Sequence, residues 1–126
     1  MNEDWRKTAH SEMKKITDES AAKTNSKIEL CIEKGYPFLV NDENVTTRLR
    51  NIAVNYLGKE NVVELEIRMT AEDFAWYSQV IPACFYRLGT GNESKGITSP
   101  VHTATFDIDE SALEIGAGLM AAGVIL

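Results

Sequence analysis

Of the two histidines in this 126-residue chain, only His102 stands where an imidazole could do chemistry. It follows Pro100-Val101 after a glycine-containing loop and precedes Phe106-Asp107-Ile108-Asp109-Glu110, which places it at a loop end close to a helix start. A neutral imidazole is a good ligand for zinc, manganese or nickel, and a nearby carboxylate can orient it through its second ring nitrogen. A surface or hydrogen-bonded histidine is the competing reading. His10 lies among Lys7, Glu12 and Lys14, where a solvated side chain explains it, and no function is assigned to it.

Carboxylates and glycines supply the other candidates. Glu72 and Asp73 sit in the first turn of an expected helix, directly after an expected strand; there they cap exposed amides, or Glu72 faces a cleft and orients a ligand. Gly89, Thr90 and Gly91 let backbone approach a substrate, or simply make a turn. The Asp107-Ile108-Asp109-Glu110 run lacks the twelve-residue loop of a calcium site and reads better as a helix cap. No second histidine or cysteine stands at short ligand spacing, and neither His-Glu-x-x-His nor a phosphate-binding glycine loop occurs, which disfavours a self-contained zinc or nucleotide site. Cys31 and Cys84 fall in strand-like patterns and read as small buried hydrophobes.

The elements that must position these residues follow from hydrophobic periodicity. Trp5, Ala9, Met13 and Ile16 recur at helical spacing behind Asn2 as cap, predicting a helix over 3–19. Ile28, Leu30 and Ile32 alternate with polar neighbours, predicting a strand that stops at Gly35-Tyr36-Pro37. Asn41 or Asp42 caps a second helix, whose Val45, Leu49, Ile52, Ala53 and Tyr56 share one face before Gly58 ends it. Val63, Leu65, Ile67 and Met69 alternate as a second strand. It leads to a capping-box-like Thr70-Ala71-Glu72-Asp73 and a short helix reaching about residue 80. Residues 83–88 form a third expected strand, residues 89–96 a turn-rich loop, and Asp109 caps a last helix over 110–123. Alternation of this kind favours a layered α/β arrangement around a small or incomplete sheet.

Composition narrows the partners. Thirteen basic against nineteen acidic residues give a net charge of −6, without a Lys/Arg cluster interleaved with aromatics, so nucleic acid is not expected. The most apolar run, residues 119–126, is far short of the roughly 20 residues of a membrane span. The acidic, polar start Met1-Asn2-Glu3-Asp4-Trp5 is unlike a secretory signal, and a cytoplasmic setting is the default expectation.

Four ordered motifs carry a family resemblance. Met69-Thr70-Ala71-Glu72-Asp73-Phe74-Ala75 resembles the Met-x-Ser/Ala-Glu-Asp-Phe segment of hippurate hydrolases, N-acyl-amino-acid amidohydrolases and auxin-conjugate hydrolases. The likeness continues through Phe85-Tyr86-Arg87-Leu88-Gly89-Thr90-Gly91, Pro100-Val101-His102-Thr103 and residues 106–113, and upstream through Asp4-Trp5-Arg6 and Gly35-Tyr36-Pro37 with Val40-Asn41. The resemblance implies an α/β catalytic domain with a two-metal site, interrupted by an inserted α+β lid domain that mediates dimerisation. Residues 1–40 match the last helix and strand of the lid, and residues 41–126 the final part of the catalytic domain. His102 matches a metal ligand, of zinc or manganese, and Glu72 a motif residue near the active site. The reaction implied is attack of a metal-activated water on the amide of an N-acyl amino acid or peptide-like substrate. The other ligands and the glutamate base belong to amino-terminal motifs without counterpart here, so Met1 reads as an internal methionine of a longer enzyme or the start of a truncated frame. The expectation is a carboxy-terminal fragment, inactive alone. The alternative is a stand-alone, non-catalytic self-association or interaction module derived from such an enzyme, and a homo-oligomer is expected.

Overall fold

The computed structural model describes residues 2–125. Its helices are α1 (Glu3–Thr24), α2 (Glu43–Leu57), α3 (Ala75–Ser78) and α4 (Ser111–Ile125), with single 3₁₀ turns at Lys59–Asn61 and Glu93–Lys95. The residues gather into two compact units, one made of Met1–Val40 and Arg68–Ile81, the other of Asn41–Ile67 and Pro82–Leu126. None of the described helices is long and apolar enough to cross a membrane.

In the first unit, Asn2 caps α1 as its sequence predicts, its side-chain oxygen accepting from the amides of Asp4 and Trp5. The helix runs past the expected end at residue 19, because Ala21 and Ala22 favour continuation and Asn25 then closes it in the left-handed conformation at φ 49°. Its first turn anchors the segment around the buried Pro37. Arg6 pairs with Glu3 and donates to the Tyr36 carbonyl at 2.8 Å, while Glu3 accepts from the Phe38 amide at 3.3 Å. Gln79 donates to the Phe38 carbonyl at 3.1 Å, which ties the end of the α3 region to the same stretch, and Ala75 within α3 is fully buried.

The second unit is built on α2 against α4. Ile52, Ala53 and Leu119 form its centre, with Leu57, Val62, Tyr86 and Ala122 packed around them. Close approach depends on small residues in α4: a Cβ at Gly118 would lie 2.0 Å from the Tyr56 hydroxyl oxygen. Asp42 caps α2 by accepting from the Val45 amide, while Asn41 faces away and bonds to Phe85. Apart from Glu114, α4 has no charged side chain, and Leu113, Met120 and Val124 lie exposed. A helix apolar all round is normally covered all round.

The three expected strands do not form a sheet. Among the described residues the β-pairing is one isolated antiparallel bridge, Asn92 to Ile97. Residues 27–33, 62–69 and 83–88 carry no strand assignment. The physical reason is that alternation marks a segment able to lie in a sheet, whereas a strand exists only when a neighbour supplies the other half of its hydrogen bonds. Ile67, 95% exposed, and Val63, 73% exposed, show the period-two face without anything laid against it. The capping box expected at Thr70 is also absent: α3 starts only at Ala75, without a side-chain cap.

Candidate functional site

His102 sits in a turn between Ile97 and α4, with its side chain exposed and its backbone at φ 66°, in the left-handed region. Histidine is among the non-glycine residues that visit this region, at a cost in backbone energy. The turn is knitted locally. Thr103 Oγ1 donates to the Pro100 carbonyl at 2.8 Å, the Phe106 amide to the Thr103 carbonyl at 3.2 Å, and the Ser99 and Thr105 hydroxyls meet at 2.8 Å.

The preceding loop is closed by Asn92 and Ile97, whose amides and carbonyls exchange two bonds of 2.9 Å. Between them lies the 3₁₀ turn Glu93–Lys95 and Gly96 at φ 72°, a value natural to glycine. The loop converges on Asp109. Only 6% exposed, Asp109 accepts from Asn92 Nδ2, from Lys95 Nζ at 2.8 Å and from the Ser111 amide at 3.2 Å, and its own amide donates to the Thr90 carbonyl at 2.8 Å. The Lys95 ammonium first, then Asn92 and the Ser111 amide, hold its carboxyl well below the usual 3.8, against the opposing effect of burial. The cap predicted at Asp109 is present. Its union with Asn92 and Lys95 was not legible, because those residues lie 17 and 14 positions away.

Of the other predicted residues, Gly89, Thr90 and Gly91 belong to the same unit as His102, with Gly89 facing open space. Glu72 belongs to the other unit, where its carboxylate accepts from the Phe74 amide at 3.3 Å, a local bond ahead of α3 and not the helix cap its sequence context suggested. His10, read as solvated, is half-buried and lines a cleft of 460 Å³ along α1, with Lys14 and Asp18 facing Ile28, Leu30 and Ile32. Cys31 is exposed rather than buried, since its segment gains no sheet neighbour; Cys84 is half-buried.

A catalytic zinc site takes about three protein ligands. Among the described residues no three His, Cys, Asp or Glu side chains are grouped to hold a metal. His102 offers one exposed imidazole, and the nearest candidate in sequence, Asp107, turns its carboxylate onto the Ile108 amide at 2.8 Å. The donor set of the described residues therefore does not fit a two-metal centre.

Comparison with known proteins gives these residues a context. Over 87 residues the chain is 38% identical to IAA-amino acid hydrolase ILR1-like 6 of Arabidopsis thaliana, covering 69% of this chain and 19% of that protein. It is 34% identical over 107 residues to IAA-amino acid hydrolase ILR1-like 5 of the same plant, covering 83% and 25%. To thermostable carboxypeptidase 2 of Saccharolobus solfataricus it is 38% identical over 86 residues, covering 68% and 21%. The chain thus spans 19–25% of the length of these relatives. No solved structure matches it. Residues 5–125, nearly the whole sequence, match the model of peptidase family M20/M25/M40, and the chain belongs to that family.

Proposed function

We propose that this chain supplies the carboxy-terminal share of a metal-dependent amidohydrolase that cleaves the amide bond of N-acyl amino acids or related peptides. In this reading residues 1–40 derive from the inserted lid domain and residues 41–126 from the layered α/β catalytic domain. His102 is one ligand of a zinc or manganese centre, Glu72 supports the active site, and Gly89, Thr90 and Gly91 line the substrate's path. The observation that carries the proposal is the coincidence of a family match over residues 5–125 with a single imidazole held out on an exposed turn. One imidazole is too few donors to bind a catalytic metal tightly, so the remaining ligands and the general base come from other residues, in a longer chain or a complementing one. The setting proposed is cytoplasmic.

The experiment is direct. The purified 126-residue protein is assayed on hippurate with added zinc or manganese, and titrated calorimetrically with each metal. The expected results are hydrolysis at background and no tight binding; metal-dependent turnover by the chain alone overturns the reading.

A second reading is favoured by the apolar side chains left bare. Val63, Leu65, Ile67 and Met69 are all exposed, and an unpaired apolar strand segment is a template for association. In that reading the chain is a non-catalytic module that forms homo-oligomers. Sedimentation over a concentration range tests this reading, since a chain that stays monomeric at every concentration does not form homo-oligomers.

A further inference from the structure

We infer that Asn92 and Asp109 form a clasp that positions His102, by fastening together both ends of the loop that carries it. The inference rests on the reading of His102 as a ligand donor for its purpose, but not for its geometry.

His102 lies near the middle of the stretch between Ile97 and Asp109, and both of these residues are bonded to Asn92. The Asn92 backbone exchanges two hydrogen bonds of 2.9 Å with Ile97, and its side-chain amide donates to the Asp109 carboxylate. The two ends of the His102 loop therefore meet on a single asparagine. A second tie runs beside the first, where Lys95 Nζ reaches the other Asp109 oxygen at 2.8 Å and the Asp109 amide reaches the Thr90 carbonyl at 2.8 Å. Asp109 is also fixed from the far side, since it accepts from the Ser111 amide at the start of α4. The clasp thus transmits the position of a fifteen-residue helix to the base of the loop.

Inside the loop, the Ser99–Thr105 hydroxyl contact forms a further rung above the clasp, and the Thr103–Pro100 and Phe106–Thr103 bonds tighten the turn itself. At its apex His102 holds φ 66°, a conformation an unconstrained histidine seldom keeps. Closing a loop at its base removes most of the freedom its apex would otherwise have. A donor meant to complete a site built from other residues benefits from that restriction, because ligand geometry is set by the groups that hold the ligand. Asn92 and Asp109 are therefore positioning residues.

The test uses the whole 126-residue chain, labelled with nitrogen-15, and reads two signals by NMR. One is the intraresidue amide-to-α-proton Overhauser effect of His102, which is strong for left-handed backbone. The other is the exchange rate of the Ile97 amide. Asn92→Ala removes the side-chain arm of the clasp, keeps the backbone pairing with Ile97, and leaves Asp109 free to cap α4 and to bind Lys95. The expected result is a weakened His102 effect and about tenfold faster Ile97 exchange, with the helical circular dichroism unchanged. Asp109→Ala should do the same and more, but it also removes the helix cap, so Asn92→Ala decides. Retention of the left-handed His102 signal in Asn92→Ala overturns the inference and leaves the ligand reading standing. Turnover of hippurate by the isolated chain would overturn that reading and leave the clasp intact.

Discussion

The side-chain amide of Asn41 grips the backbone of Phe85 at both ends, Nδ2 donating to the Phe85 carbonyl at 2.9 Å and Oδ1 accepting from the Phe85 amide at 2.8 Å. This is the paired exchange that a neighbouring strand would make, performed by one side chain. Next to it the Asp42 amide donates to the Ala83 carbonyl at 2.9 Å, so the entry to α2 takes the place of a sheet neighbour for residues 83–85. Asn41→Ala removes both side-chain bonds and is expected to cost about 1–3 kcal/mol in urea unfolding. Asp42→Ala loses only the cap on the Val45 amide and should cost about 1 kcal/mol. The reverse order would show that the Asn41 grip contributes little.

Acid should loosen the second unit through Asp109. Its carboxyl is held below the ordinary 3.8 by Lys95 first and by Asn92 and Ser111 next, so the folded chain keeps this group ionised where the unfolded chain would protonate it. Unfolding then takes up a proton, and the stability from this group is complete above pH 3.8 and lost as pH falls below it. Acid titrations followed by circular dichroism should show a shallower loss in Lys95→Met and the shallowest in Asp109→Asn. An unchanged acid limb in both variants would place the acid sensitivity elsewhere.

The left-handed backbone at His102 predicts an unusual order of tolerance. Glycine accepts φ 66° without strain, so His102→Gly should leave the denaturation midpoint unchanged or raise it, by up to about 1 kcal/mol. A β-branched residue fits this region worst, and His102→Val should destabilise by about 1–2 kcal/mol. Equal midpoints for the two variants would mean that the turn relaxes freely in solution.

Ile67 is 95% exposed, so replacing it costs the folded chain almost nothing. Ile67→Lys is expected to shift stability by no more than about 0.5 kcal/mol. The same change puts a charge on an exposed apolar segment, and any self-association through that segment should weaken in sedimentation velocity. Oligomers that persist unchanged in this variant would have to form through another surface.

What the sequence made legible was local. Asn2, Asp42 and Asp109 act as caps where their types and positions predicted, because a cap is decided by residues within one turn of it. Asn25 carried a signal for the true end of α1, since asparagine is a common left-handed helix terminator. The strands were misjudged for the opposite reason. Ile28, Leu30, Val63 and Leu65 follow the right period, but a strand's hydrogen bonds are non-local and none of the described residues forms a second strand to meet them. The candidate residues divide in the same way: His102 and Glu72 stood out singly by type and position, whereas Asn92 and Lys95 looked like ordinary turn residues until Asp109 drew them together.

The interleaving of the two units has a consequence for how the chain is made. The first forty residues share their unit with Arg68–Ile81, and Phe38 receives its bond from Gln79. A ribosome releasing the chain from its amino terminus must therefore expose α1 and all of α2 before the segment that completes the first unit emerges. The first unit is completed only by residues 68–81, so its closure must wait for a segment that is made after α2.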